Sequence, residues 1–175
     1  YKRQQFNIEI NVSPRPFTTD DTISLEQALR TSLNRAEKRA AATDSHLVMI
    51  GMLPTLRSEH FAHHWISANP RYDLLNRQIF DARGEDIELD ITGVPLDEHH
   101  DAEHLHTSTD SILPEAACTS LQLHLRVAPE DFAPHWNAAQ AISGVQVALA
   151  GNAPFLADTA LWHESRIPVF EQATD

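Results

Sequence analysis

The stretch LQLHLRV, residues 121–127, alternates strictly between apolar and polar side chains. On an extended chain Leu121, Leu123, Leu125 and Val127 fall on one side, and Gln122, His124 and Arg126 on the other. Two further stretches share the design. FNIEINV, residues 6–12, sets Phe6, Ile8, Ile10 and Val12 against Asn7, Glu9 and Asn11, with Pro14 and Pro16 ending the run. IELDIT, residues 87–92, sets Ile87, Leu89 and Ile91 against Glu88, Asp90 and Thr92. A period of two over such lengths predicts half-buried strands. Placed in one antiparallel sheet with helices behind, all three would bury their apolar faces and display a polar floor. The expected fold class is therefore α/β in the broad α+β sense, a mostly antiparallel sheet with helices packed on one face.

Between these stretches the period changes to that of helices. Leu25, Ala28, Leu29, Leu33 and Ala36 form an apolar stripe, and Ser24 with Gln27 offers a capping box ahead of it. The run at 47–53 is apolar almost throughout and reads as a buried strand closed by Pro54. A helix is expected over 58–66. Asn69-Pro70 reads as cap and first turn of another, running through Phe80 and stopping near Gly84. From Gly93 to Asp110 the periodicity is lost, which predicts a polar loop or insertion. A long helix should begin near Pro129, with Glu130 and Asp131 in its first turn, and end near Ala150. A last helical segment, 162–172, contains Pro168, where a break or kink is expected. No repeat and no internal domain boundary is visible, so 1–175 reads as a single domain or part of one.

The chain has 175 residues, enough to bury a core, with 42% hydrophobic residues, the composition of a globular protein. Its 13 Lys and Arg face 25 Asp and Glu, a formal charge of −12. That charge repels phosphate backbones and anionic lipid, which excludes the common modes of nucleic-acid and membrane-surface binding. Cys118 is the single cysteine and has no intramolecular disulfide partner, so a reducing, cytoplasmic compartment is expected. At the start of an alternating run it reads as a small buried residue rather than a reactive thiol.

A polar floor displaying Glu9, Asn11, Gln122, His124 and Arg126 has two readings. It can be the solvent face of a half-wet sheet. It can also anchor a divalent ion through carboxylate, amide and imidazole donors, with an Arg to hold a carboxylate or phosphate. Spacing does not decide between them. Other clusters are weaker. His99, His100, Glu103, His104 and His106 place His100 and His104 at i, i+4, but the Glu does not follow the first His as in HExxH, and no apolar stripe fixes a helix. An exposed loop is the expectation there. His60, His63 and His64 read as surface and boundary positions, Arg71 and Tyr72 as either substrate contacts or helix-start packing. Trp136, Trp162 and Phe170 read as core or interface. No Walker A loop, G-x-G-x-x-G or nucleophile elbow is present.

Several stretches resemble glutamate–cysteine ligase family 2, a group of carboxylate–amine ligases. They are FNIEIN at 6–11, MIGMLPTL at 49–56, NPRYDLLNRQIF at 69–80 and EAACTSLQLHLRV at 115–127. NAAQAISGVQVALAGNAPFL at 137–156 and LWHESRIPVFEQATD at 161–175 complete the set. They run in order over nearly the whole chain except the His-rich loop. The resemblance implies a catalytic domain like those of glutamine synthetase and the guanido kinases. It implies ATP with Mg2+ (or Mn2+), activation of the γ-carboxylate of glutamate as an acyl phosphate, and displacement of phosphate by the amine of cysteine or another amine. On the matching positions Glu9 and His124 are the expected metal donors and Gln122 and Asn11 the expected nucleotide contacts. Arg126 and Arg166 are expected to hold anionic substrate groups. The family's Glu-x-Glu strand and its C-terminal portion do not lie within 1–175, so the expected ligand set is partial. Two other readings stay open, a catalytically silent homologue that binds a nucleotide or amino acid, and a guanidino kinase. The amine acceptor and the oligomeric state are not legible.

Overall fold

The computed structural model of the protein describes residues 6–16 and 21–174. Contacts gather the chain into two compact units, one over Phe6–Met49 and one from Ile50 onward.

In the first unit residues 7–16 form no regular secondary structure, and helix α1 spans Asp21–Ala41. The strand expected over 6–12 is therefore not formed. Alternation defines two faces, but a strand is completed only by another chain's N–H and C=O groups. Helix α1 begins before the expected cap, so Ser24 lies in its first turn rather than at its start. No side chain of α1 is buried, and its polar face is tied locally, as in the 2.7 Å pair of Arg30 with Glu26 one turn earlier. After the helix the Leu47 N–H donates to Glu37 at 2.8 Å, and His46 Nδ1 lies 2.8 Å from the same carboxylate. The strand expected over 47–53 is absent. Val48 and Met49 are exposed, while Met52 is buried.

The second unit is built on a hairpin of β1 (Ile87–Thr92) and β2 (His104–Thr109), antiparallel with Leu89 opposite Thr107 and Asp90 opposite His106. The alternation expected for 87–92 is realised: Ile87, Leu89 and Ile91 are buried while their neighbours are exposed. The polar stretch from Gly93 to Asp110 is not all loop, because His104–Thr109 forms β2. Its signal was masked by His104, His106 and Ser108 on the wet face, with only Leu105 and Thr109 buried. Helix α2 (Pro70–Arg83) has the expected ends. Asn69 Oδ1 accepts from the Arg71 N–H at 3.0 Å, and Gly84 takes a left-handed φ of 77°. The helix expected over 58–66 is instead two 3₁₀ turns, Ser58–Phe61 and His63–Trp65, separated by Ala62 in an extended conformation.

The short helix α3 (Leu113–Ala117) follows β2. Buried Asn76 of α2 ties the two, accepting from the Ile112 N–H at 3.0 Å and donating to the Asp110 carbonyl at 3.2 Å. A 3₁₀ turn at Pro129–Asp131 leads into helix α4 (Phe132–Ala150), close to the expected bounds. A two-residue hairpin, β3 (Phe155–Leu156) with β4 (Thr159–Ala160), precedes helix α5 (Arg166–Thr174). Pro168 neither breaks nor kinks α5. It sits in the first turn, where a missing N–H costs nothing. Helix α5 packs on β1, where Gln172 Nε2 donates to the Asp90 carbonyl (3.0 Å) and its Oε1 accepts the Asp90 N–H (2.9 Å).

One core therefore lies between the buried face of the hairpin and α2, α3 and α5. It contains Ile87, Leu89, Ile91, Leu105, Leu113, Leu156, Leu161 and Val169, with Met52, Phe61 and Tyr72. The fold is α+β, with small antiparallel sheets. The strand expected over 121–127 is not among them. Those residues form no strand with any of the described residues, and Leu121, Leu123 and Leu125 are 66–70% exposed. Every side chain of α4 is exposed too, so Trp136 is not core; it stacks on Phe132 with 5.9 Å between ring centres. Trp162 and Phe170 are also largely exposed, and Trp162 Nε1 donates to the Thr92 carbonyl at 3.0 Å. Among the described residues no helix is long and apolar enough to cross a membrane.

Candidate functional site

The expected site residues fall into three local sets. Glu9 and Asn11, two apart, have side chains in contact, Asn11 Nδ2 donating to Glu9 Oε1 at 3.4 Å. In the second unit Gln122 and His124 have the same spacing, His124 Nε2 lying 3.3 Å from Gln122 Oε1. Arg126 follows two residues on. All five are exposed. The pairing within each set follows from the period of two that the sequence displays, while a sheet floor does not form.

The third set is more tightly built. Arg166 opens α5 and turns back onto Glu164, which is buried at 8% exposure. Its Nε donates to Glu164 Oε1 at 2.6 Å and its Nη2 to Glu164 Oε2, a bidentate fork. Its Nη1 donates to the Thr119 carbonyl at 2.5 Å. Thr119 is itself pinned, its N–H and hydroxyl both donating to the Gly51 carbonyl at 2.9 Å. The Asn152 N–H reaches Glu164 at 3.4 Å, and the Ser165 N–H donates to the Ala153 carbonyl at 3.0 Å. Burial pushes the Glu164 carboxyl up, but the hydrogen bonds and charge of Arg166 outweigh it and leave the pKa below the usual value. The same carboxylate raises the guanidinium pKa of Arg166. Of the five guanidinium N–H groups three are committed to Glu164 and Thr119. Glu164 is a partner that sequence reasoning missed. Its signal was the E-x-R spacing in HESR, which puts a carboxylate two residues from the arginine.

Cys118 lies beside this set. Its thiol donates to the Pro114 carbonyl at 3.5 Å, and desolvation raises its pKa to about 12, so it is an inert packing residue as expected.

The histidine-rich stretch forms no metal cage. His100 Nδ1 lies 2.7 Å from Asp97, and Glu103 accepts the Ala160 N–H at 2.7 Å. His104 and His106 stand on the wet face of β2, so the i, i+4 helix spacing of His100 and His104 is not realised. His104 Nε2 lies 2.7 Å from Asp90, whose carboxyl is held below its ordinary range chiefly by that hydrogen bond. Among the described residues no group of three His, Cys, Asp or Glu side chains could hold a metal ion. His60 and His64 pack on Trp65 at 5.1 and 5.4 Å, and His63 faces Asp73 at 3.4 Å. Tyr72 is buried, and the Arg71 N–H serves the helix cap, which favours helix-start packing there.

The donor chemistry of the first two sets fits Mg2+ or Mn2+. Mg2+ is usually bound through one or two carboxylates together with substrate phosphates rather than by an all-protein cage, and Glu9 is a carboxylate of that kind. An imidazole suits Mn2+.

Neither the curated proteins nor the solved structures yield a significant match to the chain. The model of a protein family, described as Glutamate-cysteine ligase family 2 (GCS2), matches residues 2–175. The match spans the polar pairs around Glu9 and His124 and the Glu164–Arg166 fork alike, and the chain therefore belongs to glutamate–cysteine ligase family 2, a family of ligase-type enzymes that join a carboxylate to an amine.

Proposed function

We propose that this chain carries part of the active site of an ATP- and Mg2+-dependent ligase that couples glutamate to cysteine or to another amine. The observation that carries the reading is the family match over residues 2–175. The arrangement of donors supports it, since carboxylate, amide and imidazole groups recur as contacting pairs two residues apart. ATP with its divalent ion supplies the phosphoryl group that converts an inert carboxylate into an acyl phosphate. Within its own unit, Glu9 is a donor to a divalent ion with Asn11 as a nucleotide contact beside it. Within the other, His124 and Gln122 take the same two roles. Arg126 and Arg166 hold anionic groups of the substrates. The amine nitrogen attacks the acyl carbon, phosphate leaves, and the nitrogen loses a proton to give the amide. A reducing, cytoplasmic setting belongs to the same proposal.

The test is phosphate release by the complete protein with ATP and Mg2+, given glutamate with and without cysteine or a panel of amines. Release that requires both an acid and an amine is expected. Glu9→Gln should abolish metal-dependent turnover in a protein that stays folded, because it removes the carboxylate charge and preserves the shape. Full activity in that variant would overturn the assignment of Glu9. One observation favours a second reading, a silent homologue that binds nucleotide or amino acid: no three-donor cluster is assembled among the described residues. Nucleotide binding without release in any acid–amine pair would establish it. ATP use stimulated by a guanidino compound, with no amide formed, would establish a guanidino kinase.

A further inference from the structure

Glu164 touches none of the proposed substrate groups, yet it is the most deeply buried carboxylate named above, and it holds Arg166 by two donors. A guanidinium gripped in this way has a fixed plane, so its other donors have fixed directions. One of them, Nη1, is aimed at the Thr119 carbonyl, two residues before Leu121. Beyond Thr119 the chain has no regular secondary structure until the turn at Pro129, and residues 120–126 are exposed. The anchor at Thr119 is thus the last point at which the core grips the segment bearing Gln122, His124 and Arg126. The far side of the anchor is as close. A Cβ on Gly51 would lie 2.9 Å from Arg166 Cζ and 2.6 Å from Asn152 Oδ1, so the guanidinium is packed directly on the Gly51 backbone.

We propose that Glu164 is a positioning residue: through Arg166 it clamps the Thr119 carbonyl and so sets the point at which the 121–127 segment leaves the core. The clamp also fixes the plane of the Arg166 guanidinium, which couples the anion-holding residue to the metal-donating one. Its bearing on catalysis rests on the reading of His124 and Arg166 as site residues, whereas the clamp itself rests on geometry alone.

The experiment uses the complete protein and compares Glu164→Gln, Arg166→Lys and His124→Asn with the unaltered chain. Deuterium uptake is followed at the Thr119 amide, which donates to the Gly51 carbonyl, and, as an internal reference, in peptides covering 87–92. Mn2+ alone is titrated to give an affinity that does not depend on turnover. Glu164→Gln should speed exchange of the Thr119 amide several-fold and leave 87–92 unchanged. It should also weaken Mn2+ binding several-fold, because the segment bearing His124 loses its anchor. Should Glu164→Gln fail to fold, Arg166→Lys gives the same readout, since an ammonium keeps the charge but cannot span both Glu164 and Thr119. Unchanged exchange of the Thr119 amide in a folded variant of either kind overturns the clamp. Unchanged Mn2+ affinity in His124→Asn, with uptake still raised in Glu164→Gln, would instead overturn the metal role of His124 and leave the clamp standing.

Discussion

Gly51 shows at the scale of one residue how closely the Glu164–Arg166 fork is fitted. Its backbone conformation is open to any residue, so the demand for glycine is one of space. An added Cβ would stand 2.9 Å from Ala153 Cβ and within the same distance of the guanidinium carbon. Gly51→Ala must therefore displace Arg166 or the chain at 152–153, and overpacking of this kind costs about 1–3 kcal/mol. Urea unfolding should show that loss, and a midpoint equal to that of the unaltered chain would refute the contact. Glu164 itself makes a pH prediction. Its folded pKa lies below the ordinary 4.5, so its stabilising contribution is complete above 4.5 and is lost as pH falls through the lower folded value. Thermal midpoints measured from pH 6 down to pH 3 should fall, and Glu164→Gln should fall less steeply over the acid part of that range. Parallel curves would mean that the carboxylate is not held by Arg166.

At the scale of elements, the sequence was legible wherever a segment carries its own ending or its own burial. Asn69-Pro70 and Gly84 bound α2 because a cap and a left-handed turn are local chemistry. Ile87, Leu89 and Ile91 announce β1 because one face meets a complete core. The segments 6–12 and 121–127 carry the same alternation and form no strand among the described residues, since alternation does not name a partner. Strand β2 was hidden by the reverse problem, a partner without alternation, and Thr109 is buried there only because its hydroxyl donates to the Phe61 carbonyl. The candidate site divides along the same line. The pairs Glu9–Asn11 and Gln122–His124 follow from spacing, whereas the grip of Arg166 on Thr119 joins residues 47 apart and has no local signature. The contrast gives a paired prediction. Leu89→Ala, at a fully buried site, should cost about 2–5 kcal/mol. Leu125→Ala, chemically identical at a site 66% exposed, should change stability by no more than about 0.5 kcal/mol. Equal losses in chemical denaturation would show that 121–127 is buried against something in solution.

For the whole molecule the formal charge of −12 sets a problem that the proposed chemistry must solve, because both glutamate and ATP are anions. The general field opposes their approach and reaches about 30 Å at 0.01 M salt but only about 8 Å at 0.15 M. Contacts to Arg126 and Arg166 act at short range and are screened far less when water is excluded from them. Salt should therefore remove more repulsion than attraction. Metal-free ATP is expected to bind several-fold more tightly as salt rises over that range, the opposite of the usual loss for a phosphate ligand. Mg2+ neutralises much of the nucleotide's charge before it reaches the protein, so the Mg2+ complex should bind with a flatter salt dependence. Titration with a fluorescent ATP analogue at the two salt concentrations, with and without Mg2+, measures both slopes. If affinity for the metal-free nucleotide falls with salt instead, a local cationic cluster governs the encounter. Arg126→Gln and Arg166→Gln would then each flatten that fall by an amount that identifies which arginine the nucleotide meets first.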